Sequence, residues 1–216
     1  MGLNIIIVED HPLMQKGMEM TLQAEPGFEV VGMATTGEEA LELMERTKPD
    51  LAIVDISLPG MNGLELIRIL RSRSEEIRIL VVSRHDEELF AERAIRAGAQ
   101  GYIMKMNAGE QIVDAVRKIK NGGMYLSETI SNKMLMGLSS GINSKERSPY
   151  QLLSDRELDV FRMIGQGITT REIARRMHIS SKTVDTYKAR IREKLNITNS
   201  SELLQQAVQW VKEKEL

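Results

Sequence analysis

The chain has 216 residues, with 29 Lys and Arg against 31 Asp and Glu, 42% hydrophobic residues and no cysteine. This length suits two ordinary domains, and the absence of cysteine excludes disulfides and thiolate metal sites. We find no signal peptide and no run near the roughly 20 apolar residues of a membrane span, so we expect a soluble, cytoplasmic protein without membrane contact.

Charge is distributed unevenly along the chain. Residues 1–149 carry 17 Lys and Arg against 22 Asp and Glu, a net charge of −5, whereas residues 150–216 carry 12 against 9, a net charge of +3. An acidic part joined to a basic part indicates that the second part meets a polyanion. Ordinary scatter of surface charge gives a similar balance, so the asymmetry alone does not decide the matter.

From residue 3 to about residue 121, strand-like and helix-like segments alternate five times. The predicted strands lie near residues 3–8, 28–33, 51–55, 78–82 and 101–104. The predicted helices lie near residues 12–24, 37–47, 63–73, 87–97 and 108–121. Such alternation predicts an α/β fold with a five-stranded parallel, doubly wound sheet and helices on both faces.

Several residues mark the ends of these helices. Pro12 suits a first helical turn, with Asp10 as the predicted N-cap. Asn107 is predicted to cap the fifth helix. Gly98 and Gly122 follow helices and are predicted to take the left-handed conformation.

Beyond residue 122 the pattern changes. A short helix is predicted at 127–138, and residues 139–150 have the composition of a linker. Four helical segments without a strand signal follow, near 155–165, 169–176, 181–195 and 200–213. We therefore divide the chain into a first domain at 1–122, a short helix and linker at 123–149, and a small all-α domain at 150–216.

Charged residues follow three of the predicted strands. Glu9 and Asp10 end the first, Asp55 ends the third, and Lys105 follows the fifth. Because the carboxyl ends of parallel strands form the ligand crevice of an open sheet, these groups should meet there. Carboxylates this close are unfavourable unless a cation lies among them. One acidic residue at a strand end is most often a helix N-cap, which explains Asp10 alone but not the whole set.

These residues, with Ser83 and Tyr102, resemble the receiver domain of two-component response regulators. The resemblance covers residues 1 to about 121 and implies a flavodoxin/CheY-like fold. It implies that Asp55 is the phosphoacceptor for a sensor histidine kinase. Phosphoryl transfer depends on positioning and charge neutralisation more than on covalent help.

The resemblance also implies the remaining roles at this site. A Mg²⁺ ion prefers oxygen ligands, and its implied direct ligands are Asp10, Asp55 and the backbone carbonyl of Ser57. Glu9 would bind the ion directly or through a water molecule. Lys105 would pair with the phosphoryl oxygens, Ser83 would donate its hydroxyl to them, and Tyr102 would change rotamer as Ser83 moves. The last three would form the phosphoryl-binding switch that shifts a two-state equilibrium.

Neighbouring residues carry weaker signals. We expect His11, before Pro12, to be a turn residue rather than a metal ligand. Arg84 and His85 flank the switch hydroxyl, where they could tune phosphate lifetime. Met106 stands where many receivers place proline, a difference that leaves the implied role of Lys105 unchanged.

The second domain has the pattern of a helix-turn-helix. Ser154 and Glu157 form a predicted capping box, Thr169 or Thr170 caps the next helix, and Ser180 or Ser181 the third. In that third helix an apolar stripe alternates with basic residues. The stripe comprises Val184, Tyr187, Ile191 and Leu195. The sequence of this domain resembles the LuxR-type module, notably at Glu172-Ile173-Ala174 and Lys182-Thr183-Val184. With the receiver, it resembles the NarL/FixJ subfamily of response regulators across nearly the whole chain.

The resemblance implies that the helix at 181–195 lies in the major groove of double-stranded promoter DNA. Candidate phosphate contacts are the side chains of Lys182, Thr183, Lys188 and Arg190. The backbone N–H groups at the helix starts, near Thr169, Thr170 and Ser181, are further candidates. Asp185, Thr186 and Ala189 fall where relatives reach base edges. Asp185 is unexpected beside phosphates; it could accept from a cytosine amino group, or hold Lys182 or Lys188 in place. A solvated basic helix face is the simpler alternative.

The last helix carries an apolar stripe that the resemblance assigns to dimerisation. The predicted dimer residues are Leu203, Leu204, Ala207, Val208 and Val211. The alternative is that the stripe only closes the core, and both roles are compatible because a 67-residue domain buries little surface.

These observations favour a phosphorylation-switched, DNA-binding transcriptional regulator that forms a homodimer when active. Its expected partners are promoter DNA and a sensor histidine kinase, with RNA polymerase as a further candidate. The alternative is a phosphorylation-independent regulator whose receiver is only a docking module.

An enzyme reading fits the sequence less well. Aspartyl-phosphate phosphatases carry a second acid two residues after the nucleophile, where this chain has Ser57. Nucleotide-binding glycine motifs are absent from the sequence. We expect any phosphoryl chemistry to be self-directed, comprising acceptance and slow hydrolysis.

Overall fold

The computed structural model describes residues 2–139 and 149–214, and the chain divides into two units between Ser139 and Ser140. The division falls inside the segment predicted as short helix and linker. Most of the predicted linker, residues 140–148, lies outside the described residues. Among the helices of the described residues, none is long and apolar enough to span a membrane.

The first unit contains a five-stranded parallel sheet in the order β2-β1-β3-β4-β5. Its strands are β1 (Leu3–Val8), β2 (Phe28–Ala34), β3 (Leu51–Val54), β4 (Arg78–Ser83) and β5 (Gly101–Met104). Its helices are α1 (Pro12–Gln23), α2 (Gly37–Thr47), α3 (Gly63–Arg73), α4 (Glu87–Ala97), α5 (Ala108–Lys120) and α6 (Glu128–Ser139). The predicted doubly wound α/β fold is confirmed.

The central strands supply the core of this unit. All four residues of β3 are fully buried, as are Ile5, Ile6, Ile7 and Val8 of β1. Strands buried on both faces read as continuous apolar runs, because helices cover each side of the sheet. Helices α1 and α5 cover one face, where Leu22, Ile112 and Val116 join the core. The sheet therefore fixes the residue that follows β3 at its carboxyl edge.

Gly63 lets α3 begin directly against the backbone of that residue. A Cβ atom at Gly63 would lie 2.0 Å from the carbonyl oxygen of Asp55 and 2.7 Å from the Cα atom of Ile56. Asn62 caps the helix by accepting a hydrogen bond from the Leu64 amide at 2.7 Å. The start of α3 thus sets the position of Asp55.

The helix ends follow most of the predicted signals. Pro12 occupies the first turn of α1, but the prediction of Asp10 as its N-cap is wrong because His11 holds that position. The Asp10 carboxylate contacts the His11 ring instead. Asn107 is the N-cap of α5 without a side-chain cap hydrogen bond, because it ends a 3₁₀ turn at Lys105–Asn107. Gly98 (φ 116°) and Gly122 (φ 82°) are left-handed, as predicted.

The second unit is entirely helical in its described residues. A 3₁₀ turn at Pro149–Leu152 precedes α7 (Asp155–Gly165), α8 (Thr170–Arg176), α9 (Ser181–Lys194) and α10 (Ser200–Lys214). The capping box of Ser154 and Glu157 is present. Thr169 caps α8 and Ser180 caps α9, so Thr170 and Ser181 are the first helical residues.

The core of the second unit is built on contacts between α7 and α10. A Cβ atom at Gly165 would lie 2.2 Å from the carbonyl oxygen of Ala207, so the two helices approach backbone to backbone. Phe161 and Trp210 pack edge to face at 5.9 Å between ring centroids, and Tyr150 packs against both. This aromatic cluster joins the first described residues of the unit to its last helix.

A buried carboxylate ties α7 to α9. Glu157 is 3% exposed, and its Oε2 atom accepts from the Ser154 amide and from the Lys194 ammonium, each at 2.7 Å. Burial alone would raise the pKa of Glu157, but the hydrogen bonds from Lys194 and Ser154 outweigh it and lower that pKa.

We expect Glu157→Gln to reduce the free energy of unfolding at neutral pH by about 1–3 kcal/mol, because Lys194 loses its buried partner. A carboxylate whose folded pKa is depressed stabilises the fold above its unfolded pKa. The difference from wild type should therefore shrink as the pH falls below about 4.5. The difference in free energy of unfolding is measured by urea denaturation, monitored by far-UV circular dichroism. The exposed Glu193→Gln is the matched control, and equal losses in both variants would contradict the prediction.

Candidate functional site at the carboxyl edge of the sheet

Three strand ends bring opposite charges together in a buried pocket. Asp55 follows β3, Glu9 follows β1, and Lys105 follows β5; they are 2%, 1% and 7% exposed. The Lys105 ammonium lies 2.8 Å from Asp55 Oδ2 and 2.7 Å from Glu9 Oε1. Removing charges from water is unfavourable unless they are paired, and here one ammonium compensates two carboxylates.

Asp10 and His11 extend this cluster toward the surface. The His11 Nδ1 atom lies 2.6 Å from Asp10 Oδ1 and 3.0 Å from Glu9 Oε1. Its other ring nitrogen, Nε2, lies 3.3 Å from an Arg84 guanidinium nitrogen. Arg84 is a donor only, so Nε2 accepts and Nδ1 carries the proton that faces the carboxylates. His11, predicted as a turn residue, thus lies within the acidic cluster, which its position next to Asp10 in sequence could have indicated.

The cluster fits a hard divalent cation. The carboxylates of Glu9, Asp10 and Asp55 each offer a ligand oxygen, and these atoms all lie within 4.8 Å of one another, with the protonated His11 ring beside them. The Oδ1 atom of Asp55 is buried and has no hydrogen-bond partner among the described residues. Buried polar atoms are usually paired, so an orphaned carboxylate oxygen marks a position for an external group. Carboxylates are the ligands that Mg²⁺ prefers.

Ser83 and Tyr102 both meet the loop that follows β4. Ser83 is fully buried, and its Oγ atom accepts from the His85 amide at 3.3 Å. The Tyr102 hydroxyl donates to the His85 carbonyl at 2.8 Å, with the ring buried. Burial raises the pKa of Tyr102 well above its ordinary value, which the Ser83 hydrogen bond opposes and the Asp55 charge reinforces. The tyrosine is therefore a neutral donor.

His85 connects the Asp55 loop to α4. Its Nε2 atom lies 2.8 Å from the Ser57 hydroxyl, and its ring stacks on Phe90 at 4.3 Å between centroids. His85 is only 4% exposed. The predicted role of Ser57 concerned its backbone carbonyl, so this side-chain contact is a further finding.

The second candidate surface is the outer face of α9. Val184 and Ile191 are fully buried, which turns the other side of the helix outward. Six predicted DNA contacts on α9 are exposed, namely Ser181, Lys182, Asp185, Thr186, Ala189 and Arg190, and Thr183 is partly exposed. Lys188 is partly buried, where its ammonium donates to the Thr170 hydroxyl and links α9 to α8. Two predicted contacts are therefore joined to each other within the domain.

The predicted dimer residues on α10 divide into two groups. Leu203 and Ala207 are 3% and 0% exposed and belong to the core of the second unit. Leu204 is 47% exposed, and Val208 and Val211 are partly exposed. Only the second group offers surface to another chain.

Comparison with known proteins agrees with both halves of this description. The family "Response regulator receiver domain" matches residues 5–117, and "Bacterial regulatory proteins, luxR family" matches residues 151–207. The response regulator GacA of Pseudomonas aeruginosa is 36% identical over 206 residues, covering 95% of this chain and 95% of that protein. The response regulator UvrY of Escherichia coli (strain K12) is 34% identical over 206 residues, covering 95% and 94%.

A solved structure of the RcsB response regulator of Salmonella typhimurium shares the fold, with a TM-score of 0.71 and 23% identity over 96% of this chain and 98% of that one. The two family matches lie on the two units found in the structure, and both relatives align with 95% of this chain. The chain therefore belongs to the NarL/FixJ family of two-component response regulators, in which a receiver domain is joined to a LuxR-type helix-turn-helix that binds DNA and regulates transcription.

Proposed function

We propose that this regulator is switched by phosphorylation of Asp55 by a sensor histidine kinase. The switch alters dimerisation and the exposure of the recognition helix, α9. The observation that carries the proposal is that the two oxygens of the Asp55 carboxylate have different environments. One oxygen, Oδ2, is held by Lys105 at 2.8 Å, whereas the other, Oδ1, is buried without a hydrogen-bond partner among the described residues.

The chemistry follows from this asymmetry. Oδ1 attacks the phosphorus of a phosphohistidine, the P–N bond breaks, and the imidazole leaves with the electron pair. Lys105 holds Oδ2 and presents its positive charge to the phosphoryl oxygens, which supports a reaction that depends on positioning and charge neutralisation. Glu9, Asp10, Asp55 and the carbonyl of Ser57 would hold Mg²⁺, which when bound supplies further neutralisation of those oxygens. Water then hydrolyses the aspartyl phosphate, which releases inorganic phosphate and returns Asp55 to a carboxylate.

Ser83 and Tyr102 would carry the signal away from Asp55. The Ser83 hydroxyl, which now accepts from the His85 amide, donates to a phosphoryl oxygen once one is present. Tyr102 donates to the carbonyl of the same residue, so a shift of this loop changes the partner of both side chains. Phosphorylation then biases a two-state equilibrium rather than creating a new fold.

The output would be promoter DNA bound by a homodimer. Lys182, Thr183 and Arg190 would contact phosphates, with Thr169, Thr170, Ser181 and Lys188 at the α8–α9 junction, while Asp185, Thr186 and Ala189 would face bases. Leu204, Val208 and Val211 form the exposed part of the dimer surface. RNA polymerase is a further candidate partner.

The test treats the full chain with acetyl phosphate and Mg²⁺ and measures sedimentation and DNA affinity. We expect phosphorylation to raise the dimer fraction and to tighten DNA binding by about 5- to 150-fold, the range of ordinary allosteric coupling. Asp55→Asn, treated in the same way, is the control and should show neither change. If the phosphorylated wild type shows neither change, the receiver acts only as a docking module and the switch proposal fails.

A further inference from the structure

An acidic residue stands in the middle of the basic recognition surface. Asp185 lies in the second turn of α9, is exposed, and has Lys182 and Lys188 as its neighbours one turn away on the same helix. Within the part of the chain that the structure describes, Asp185 makes no hydrogen bond or ion pair with either lysine. Lys188 instead donates to Thr170. A role in holding these lysines therefore has no support in the structure.

The orientation of α9 fixes where this carboxylate points. Val184, directly before Asp185, is fully buried, and so is Ile191 two turns later. Lys182 and Ala189, three residues before and four after Asp185, are exposed and share its side of the helix. Residues in the N-terminal half of a recognition helix are those that reach base edges in the major groove. Asp185 thus lies at the centre of the surface that faces DNA.

We infer that Asp185 reads the N4 amino group of a cytosine in the major groove. This inference rests on the proposed DNA-binding function and specifies one base of the operator. A carboxylate only accepts hydrogen bonds, and phosphates repel it. Among the base edges of the major groove, only the cytosine N4 and adenine N6 amino groups donate, and adenine places its N7 acceptor beside N6. Cytosine is therefore the base whose edge suits a lone carboxylate.

The same argument predicts that Asp185 disfavours guanine and thymine at this position. Guanine presents two acceptors and thymine one, so both face the carboxylate with like polarity. Removing the carboxylate should relax base preference at one position of each half-site and strengthen non-specific binding, because a negative charge leaves the surface that faces the DNA polyanion.

The experiment is selection of binding sites from a random DNA pool by the acetyl-phosphate-treated full chain. We expect wild type to prefer cytosine over the other bases by roughly tenfold at one half-site position. Asp185→Ala should lose that preference alone. Asp185→Asn should move it toward adenine, because an amide both donates to N7 and accepts from N6. As control, Lys182→Ala should weaken binding to all sequences while the selected motif stays the same.

The outcomes separate this inference from the function on which it rests. If wild type selects no motif, the proposed DNA-reading function fails. If wild type selects a motif that Asp185→Ala retains unchanged, DNA reading stands and the cytosine contact is overturned. If Asp185→Ala weakens base preference at all positions together and lowers thermal stability, Asp185 stabilises the helix and does not contact a base. This result also overturns the inference.

Discussion

Replacing Asp55 with asparagine is expected to abolish phosphoryl acceptance by this regulator. The amide has nearly the shape of the carboxylate but lacks its nucleophilic charge, so the reaction loses its acceptor while the fold keeps its packing. Wild type treated with acetyl phosphate and Mg²⁺ should gain a single phosphate adduct by intact mass spectrometry, and Asp55→Asn should gain none. Wild type without Mg²⁺ should react much more slowly.

Asp114→Asn provides the matched control, because Asp114 is 70% exposed and pairs only with Arg117 among the described residues. This variant should be phosphorylated as wild type is. An adduct on Asp55→Asn would place the acceptor elsewhere, and a wild type without an adduct would leave the roles of Lys105 and the metal without support.

Replacing Lys105 with methionine is expected to destabilise the receiver strongly when divalent metal is absent. The change keeps the apolar stem but removes the charge that faces Asp55 and Glu9, both of which remain buried. Breaking a buried ion pair by removing one partner costs about 3–5 kcal/mol, because the remaining charge is left uncompensated. Urea denaturation in the presence of EDTA measures the loss.

Added Mg²⁺ should recover part of this stability, since a ligand that binds only the folded state stabilises it by mass action. The recovery should exceed the effect of Mg²⁺ on wild type, whose carboxylates already have an ammonium partner. Lys133→Met is the control, because Lys133 is 54% exposed and lies 4.0 Å from its partner Glu88; its effect should stay within about 0.5 kcal/mol. Equal stability of Lys105→Met and wild type in EDTA would refute this account of the pocket.

The acidic pocket was predictable because each of its members directly follows a buried strand. Parallel strands end at one edge, so Glu9, Asp55 and Lys105 must converge once the strands are recognised. The contact of His85 with Ser57 and Phe90 had no such signal. It depends on how two loops fold back over the edge, and loop conformation leaves no periodicity in the sequence.

The α10 stripe shows a different limit. Leu203 and Leu204 are adjacent in sequence, so they lie about 100° apart around the helix. Leu203, Ala207 and Trp210 follow the i, i+4, i+7 spacing of one stripe and are buried. Leu204, Val208 and Val211 repeat the spacing one residue later and form a second, partly exposed stripe. The sequence pattern shows two adjacent stripes, but only packing reveals which one the core takes.

The aromatic cluster of Tyr150, Phe161 and Trp210 has a spectroscopic consequence. Trp210 is the only tryptophan in the chain, it is 3% exposed, and it lies in the second unit. Emission excited selectively at the indole band therefore comes from the DNA-binding unit alone. A red shift of this emission, caused by exposure of the indole to water, reports the separation of α10 from α7. The receiver does not contribute to the signal at that excitation wavelength. The native chain thus contains a built-in optical probe for one of its two units, without labelling.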